Sequence, residues 1–177
     1  DNKKINMQQF KDYTGSVYGG LGHLLYAYSQ AKGLAISEKL KQIQNLERVD
    51  FCLWRELLTE MQQHCQIPAF GLEVAEFVQP KHLGIIAYIA LSCNTLGEAL
   101  QRYHDFHRLI YDGSPLQVNM LDNYLAIGWG DIPYHLTTQV THELSIALML
   151  QFLKCFMALD DIHIHEVHFI HPAPKNI

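Results

Sequence analysis

Residues 116–129, LQVNMLDNYLAIGW, differ from the rest of the chain in the period of their apolar residues. Apolar and polar residues alternate on both sides of Asp122-Asn123, which is typical of half-buried β-strands. Asp and Asn tolerate the positive φ angles that a two-residue hairpin turn requires. With that turn Leu116 lies opposite Trp129, and the large apolar side chains of both strands share one face. These residues therefore predict a β-hairpin with one apolar face.

Upstream of the hairpin the apolar residues follow helical spacing. Asp50 is a good N-cap for residues 51–65, whose apolar side chains recur at i, i+3 and i+4 steps. Residues 83–91 are nearly all apolar, which predicts a buried helix. Thr95 and Glu98 have the spacing of a capping box at the start of another helix. We therefore expect several helices before the hairpin.

Two further elements are predicted after the hairpin. Helical spacing runs from about Thr138 to Ala158, and alternation over His163–Ile170 predicts a strand. Helices followed by a hairpin, a long helix and a strand are typical of an α+β fold, with several helices packed on a small, mostly antiparallel β-sheet. Because a hairpin and one strand make a small sheet, we also expect the domain to continue beyond Ile177.

The composition indicates one globular domain. Of the 177 residues, 49% are hydrophobic and 18% are charged, so the chain has enough apolar material for a buried core. Residues 1–16 are polar and lack a regular period. We therefore expect a flexible N-terminal arm over 1–16 and a domain over 17–177.

Charge and hydropathy exclude nucleic acids and membranes as partners of this chain. The formal net charge is −5 and the basic residues are scattered, so no basic face is available to neutralise nucleic-acid phosphates. The longest apolar stretch is shorter than the roughly 20 residues that span a bilayer. The four cysteines have no C-x-x-C spacing, which indicates free thiols in a reducing compartment. We expect a cytoplasmic protein that contacts no membrane.

Catalytic and metal-binding patterns are incomplete in this sequence. Nucleophile-elbow, zinc-protease and dinucleotide-binding motifs are absent. No cysteine or carboxylate spacing completes a metal site around the histidines. We therefore predict no enzyme activity, no metal and no cofactor. The alternative is a stand-alone haem- or metal-binding sensor that uses His107 or the terminal histidines, which are His163, His165, His168 and His171.

Aromatic residues with polar tips gather around the predicted helix–hairpin junction. Such side chains combine an apolar body with a hydrogen-bonding group, which suits a pocket for a small molecule. The alternative interpretation is that each is an ordinary core or rim residue. The candidate ligand-binding residues are Tyr88, Tyr103, His107, Tyr111 and Trp129, with Tyr134 nearby in sequence.

An ordered set of motifs carries a family resemblance. The run 91–100, LSCNTLGEAL, continues through Tyr103-His104 to Asp112-Gly113. It resembles a stretch in the N-terminal "arabinose-binding" domain of AraC-type transcription regulators, in a branch similar to regulators of ornithine and arginine use. The similarity extends over about Val17 to Pro174. Further motifs that match in order are Gly71-Leu72, Leu83-Gly84 with Tyr88, Val167-His168-Phe169 and residues 171–174, HPAP.

The resemblance implies a function in gene regulation. Members of this family sense a ligand, dimerise and carry two helix-turn-helix motifs in a C-terminal domain that is absent from this chain. We therefore expect an unknown small-molecule effector and a homodimer, with DNA contacted only through the C-terminal domain. The resemblance carries no specific ligand residues over to this sequence.

Overall fold

The computed structural model describes residues 15–130, 132–154 and 163–172. Over these residues eight α-helices, two 3₁₀ helices and two small antiparallel sheets follow one another. The predicted α+β fold is confirmed. In this part of the chain no helix is long and apolar enough to cross a membrane.

The first half of the chain is mostly helical, and the hairpin and the longest helix follow it. The first elements are β1 (Ser16–Tyr18), α1 (Gly19–Ala31), α2 (Glu38–Ile43), β2 (Arg48–Asp50), α3 (Phe51–Cys65) and α4 (Phe70–Ala75). The next are α5 (Pro80–Leu83), α6 (Ile85–Leu91), α7 (Leu96–Phe106) and a 3₁₀ helix (His107–Leu109). The last are β3 (Leu116–Leu121), β4 (Tyr124–Trp129), a second 3₁₀ helix (Tyr134–Leu136) and α8 (Gln139–Lys154).

Strands β3 and β4 form the predicted hairpin with the expected register. Leu116 pairs with Trp129, and the two-residue turn lies at Asp122-Asn123. The base of the hairpin packs on the core, where Leu116 is buried and Trp129 is partly buried. Near the turn the apolar face opens to solvent, since Met120 is 77% exposed. The apolar face of the hairpin is thus covered at its base and exposed at its turn.

Side-chain caps begin three of the helices, and two of these caps, Asp50 and Thr95, are the ones that the sequence predicts. Asp50 accepts hydrogen bonds from the backbone N–H groups of Cys52 and Leu53 at the start of α3. Thr95 accepts from the N–H of Glu98 at 3.1 Å at the start of α7, and Ser37 caps α2 in the same way. These bonds satisfy backbone donors that have no partner inside the helix.

The closest helix packing joins α4 to α8 and depends on a glycine. A Cβ atom on Gly71 would lie 2.7 Å from both the Cβ of Glu143 and the backbone N of Leu144. The Gly71 N–H also donates to the buried Glu143 carboxylate at 3.4 Å. On the other side of α4, Phe70 meets Tyr28 of α1 edge-on, with ring centroids 5.5 Å apart. The core therefore runs from α1 through α4 to α8.

A second small sheet, β1 with β2, was not predicted because strands of three residues are too short to show a period. Ser16 pairs with Asp50 in this sheet, so the last residue of the predicted arm belongs to the fold. Arg48 donates to the Ser16 hydroxyl at 2.6 Å and to the Leu109 carbonyl at 3.0 Å, and Asp112 accepts from the Ser16 N–H at 2.6 Å. These bonds tie the sheet to the segment before β3. Residues 1–14 of the predicted arm lie outside the described residues.

The prediction of one buried helix over 83–91 was wrong in two respects. Gly84 adopts a φ of +68° and separates α5 from α6, because the Tyr18 ring packs against it where a Cβ would otherwise stand. Helix α6 is also buried on one face only. Its opposite face is apolar and exposed, with Ile85 60% exposed, Tyr88 55% and Leu91 46%.

The predicted strand over His163–Ile170 is not formed. The segment has no regular secondary structure, and all eight of its residues are exposed. Alternation makes a strand only where a neighbouring strand edge supplies hydrogen bonds, and this segment lacks that ladder. The end of α8, predicted near Ala158, lies outside the described residues.

Candidate functional site

Two of the candidate ligand-binding residues pack against other aromatic rings. Tyr103 of α7 is buried, and its ring centroid lies 4.9 Å from that of Phe152 on α8. Burial raises the pKa of the Tyr103 phenol, so this side chain stays protonated. Tyr111 is partly buried and lies against Phe51 at the same centroid distance, 4.9 Å. Tyr103 thus belongs to the contact between α7 and α8, and Tyr111 to the contact with α3.

His107 joins the end of α7 to the base of the hairpin. Its Nδ1 donates to the His104 carbonyl at 2.6 Å, and its Nε2 accepts from the Leu116 N–H at 3.3 Å. This pair of bonds requires the neutral tautomer with the proton on Nδ1. Because Leu116 pairs with Trp129, His107 and Trp129 lie at the same end of the hairpin. Both ring nitrogens of His107 are occupied by backbone groups.

Tyr88 lies apart from this group, on the exposed face of α6. The structure therefore joins His107 and Trp129 through Leu116 and places Tyr103 and Tyr111 against separate aromatic partners. Two clefts of the described part of the chain are lined by other residues.

The first cleft is open, has a volume of about 390 Å³ and lies at the start of α1. Its polar side chains are those of Tyr18, His23, Gln44, Asn45, Glu47 and Lys81. A Cβ on Gly20 would lie 2.4 Å from the Tyr18 ring, so glycine is required in the wall of the cleft. The cleft therefore combines cationic and anionic side chains beside the first turn of a helix.

A buried histidine lies behind this cleft. His82 is 2% exposed, and its ring centroid is 5.4 Å from that of His23, which lines the cleft. The Nδ1 of His82 accepts from the Gln79 N–H at 3.0 Å. Burial first, then the charges of His23 and Lys81, lower the pKa of His82 to about 4. His82 is therefore neutral near pH 7, and among the described residues its Nε2 has no hydrogen-bond partner.

The second cleft, also about 390 Å³, lies between α3 and the segment that leads into α8. It is polar and carries two carboxylates. One wall is formed by Arg55, Glu56, Thr59, Glu60 and Gln63, and the other by His135, Thr137 and Thr138. Arg55 donates to the carbonyl of Leu136 and so links the two walls.

Thr137 also contacts the last described segment of the chain. Its hydroxyl oxygen lies 3.1 Å from Nε2 of His171. The His171 ring packs on Tyr134 with centroids 4.6 Å apart and meets His142 of α8 edge-on at 5.0 Å. Among the described residues, no three His, Cys, Asp or Glu side chains come together as a metal site needs.

Sequence reasoning did not select Arg55, Thr137 or His142 for a site. Arg55 lies on the polar face of an amphipathic helix, and such residues are usually solvated. His142 and Glu143 begin like a zinc-protease motif, but that motif is incomplete in this sequence, so His142 was not selected. The preference of Thr for the residues just before a helix was the one signal for Thr137.

Comparison with known proteins identifies the family of this chain. No curated protein matches the chain. A family model described as the arabinose-binding domain of AraC transcription regulators, N-terminal, matches residues 36–177. This is a family of regulator domains and not of enzymes. Because the match covers most of its length, the chain belongs to the family of N-terminal arabinose-binding domains of AraC transcription regulators.

Proposed function

We propose that this chain is the effector-sensing and dimerisation half of a bacterial transcription regulator of the AraC type. The observation that supports the proposal is the family match over residues 36–177. The effector is a small molecule, and the sensing domain acts in the cytoplasm as a homodimer. Light scattering on the purified chain tests the dimer, which has twice the mass of one chain.

The proposed effector contacts lie at the helix–hairpin junction. Tyr111 and Trp129 offer partly buried aromatic faces there, each with a polar atom at its tip. Tyr88, which lies apart from this junction on α6, offers an exposed aromatic face. In this proposal Tyr103 and His107 act by holding α7 and the base of β3 in place, since their contacts are with Phe152 and with backbone groups.

The proposed mechanism is a shift of population between two arrangements of the domain or dimer. An effector that binds one arrangement more tightly than the other increases its share, by an amount set by the difference in affinity. That arrangement changes how a C-terminal helix-turn-helix domain engages DNA. The sensing domain itself contributes no phosphate contacts, since its formal net charge is −5.

The first prediction is that this chain alone does not bind duplex DNA at physiological salt. The physical reason is the absence of a basic face, which would have to replace the counterions on the phosphates. A gel-shift assay with random duplex DNA measures this, and no shifted band is expected at micromolar protein. Micromolar binding that weakens as salt is raised would contradict the assignment of DNA contact to a separate domain.

A further inference from the structure

Residues 163–172, here called the strap, lie against the hairpin and the start of α8 through two imidazole rings. Near one end of the strap, His165 stacks on Tyr124, at the turn end of β4, with centroids 5.3 Å apart and the planes 27° apart. Towards the other end, His171 packs on Tyr134, beyond the opposite end of β4. The strap therefore runs along the hairpin in the direction of β4.

Apolar burial along the strap is incomplete. The strap has no regular secondary structure, and its apolar side chains are only partly covered. Each of them is about half exposed: Ile164, Val167, Phe169 and Ile170. The ring contacts add to this partial burial, and the better packed of the two imidazoles is His171, the one residue of 163–172 that is partly buried.

His171 touches three groups of the domain and no carboxylate. Its ring lies 4.6 Å from the Tyr134 ring and 5.0 Å from the His142 ring, and its Nε2 lies 3.1 Å from the Thr137 hydroxyl. Thr137 in turn donates to the Tyr134 carbonyl at 3.2 Å, so these side chains form one connected cluster. We call the four residues Tyr134, Thr137, His142 and His171 the His171 cluster.

We infer that the His171 cluster is a proton-sensitive latch, which holds the strap against the domain while both imidazoles are neutral and releases it when they gain protons. The geometry supports this because two imidazoles in contact cannot both become cations without like-charge repulsion. Protonation would also place a positive charge at a site that is partly shielded from water, which is unfavourable.

Neighbouring charges do not offset this effect. On α8, the Glu143 carboxylate faces away from the latch and is bonded to Gly71 and Gln139. On the strap, Glu166 is paired with His168 at 2.9 Å. The other titratable or charged side chains of the elements that pack here lie on the 3₁₀ helix, the strap and α3. They are Tyr134 and His135, His163 and His165, and Arg55, Glu56 and Glu60, the last three in the wall of the polar cleft. Glu56 and Glu60 face that cleft from α3, and no carboxylate raises the pKa of His142 or His171.

The pKa values of the two histidines agree with this geometry. Burial, and then the neighbouring His171, lowers the pKa of His142, and burial lowers the pKa of His171. A base whose pKa is lowered in the docked state stabilises docking in full above its undocked pKa, about 6.5 for histidine. That stabilisation is lost as the pH falls below this value. Release is therefore expected on the acid side of neutrality.

The latch gives the domain a second input besides its effector. Thr137 lies both in the His171 cluster and in the wall of the polar cleft beside Arg55. Thr137 therefore connects the strap directly to that cleft. In the proposed regulator, release of the strap would loosen the chain that leads away from the sensing domain.

The test is a measurement of backbone order by NMR relaxation on the whole chain at about pH 7.5 and about pH 5. At the higher pH we expect order parameters in the strap close to those of rigid backbone, about 0.85, and at the lower pH values below about 0.6. Helix α3 should remain ordered at both. If strap and α3 lose order together, or if the strap is equally ordered at both values, the latch is contradicted.

Two variants make the test specific. His171→Phe keeps an aromatic ring between Tyr134 and His142 but cannot gain a proton, so the strap should stay ordered at the lower pH. His168→Phe removes another histidine of the same strap, one that is exposed and paired with Glu166. This variant should release its strap like the unmodified chain. Acid release that persists in His171→Phe would overturn the inference.

Discussion

Replacing Gly71 by alanine should lower the free energy of unfolding by about 3 kcal/mol, at the upper end of the effects of overpacking. The new Cβ atom would lie 2.7 Å from the Cβ of Glu143 and the N of Leu144, and 2.8 Å from the Val140 carbonyl oxygen. Two of these three atoms belong to the backbone of α8, so a rotamer change cannot relieve the overlap. Helix α4 must instead move away from α8, which weakens the Gly71 N–H bond to Glu143.

A matched substitution separates this effect from a general effect of removing glycine. Gly97 lies in α7, and a Cβ atom there would meet nothing within 4 Å. Gly97→Ala should raise the stability by up to about 1 kcal/mol, because alanine is the better helix former. In thermal unfolding, Gly71→Ala should lower the Tm by about 6–12 °C for a chain of this size. Similar Tm values for the two variants would show that α4 and α8 are not in close contact.

Truncating Tyr103 to alanine should be the other most damaging change, with a loss of about 3–5 kcal/mol. The ring is buried between α7 and α8 against Phe152, so its removal costs the transfer of a large side chain and leaves a cavity. Tyr103→Phe keeps the ring and should lower the stability by no more than about 1 kcal/mol. Urea unfolding would measure both losses, with the same dependence of the free energy of unfolding on urea concentration used for each variant.

Tyr88 provides the control for Tyr103, since both were candidate ligand-binding tyrosines. Tyr88 is 55% exposed, so Tyr88→Ala should change the stability by only about 0.5 kcal/mol. Equal losses at the two positions would contradict the burial of Tyr103. A Tyr103→Ala variant of normal stability would do the same, and would return Tyr103 to the effector-contacting residues.

Local chemistry explains how much of the fold the sequence could predict. The hairpin register follows from alternation on both sides of Asp122-Asn123, and the cap at Asp50 follows from its side-chain oxygen. These features need no information from distant residues. The α+β fold class could also be predicted, because the order of helices and strands along the chain restricts how they can pack in layers.

The incorrect predictions depended on contacts between distant residues. The apolar run over 83–91 does not by itself show that Gly84 adopts a positive φ between two helices, or that the Tyr18 ring packs against it. The alternation over His163–Ile170 likewise cannot show whether a strand edge is available for pairing. In both cases the pattern predicted an element that the contacts between distant residues do not support.

The candidate site was the hardest part to predict because its residue types occur equally in cores. Tyr103 and Tyr111 have the same amphipathic character, yet Tyr103 is buried against Phe152 and Tyr111 is partly exposed beside Phe51. His107 was considered as a metal ligand, whereas its two nitrogens bond backbone groups. The His171 cluster joins Tyr134 to a histidine 37 positions later, a separation at which the sequence carries no local signal.

The central claim, that this chain senses a small-molecule effector, is tested most directly by thermal unfolding in the presence of a broad collection of metabolites. A ligand that binds only the native state at about 100 times its Kd adds about 2.7 kcal/mol of stability. For a chain of this size that corresponds to a rise in Tm of about 5–11 °C. We expect such a rise with one compound or a few related ones, and it should be smaller in a variant that carries Tyr111→Ala and Trp129→Ala together. A folded protein whose Tm no compound in the collection raises would contradict the claim.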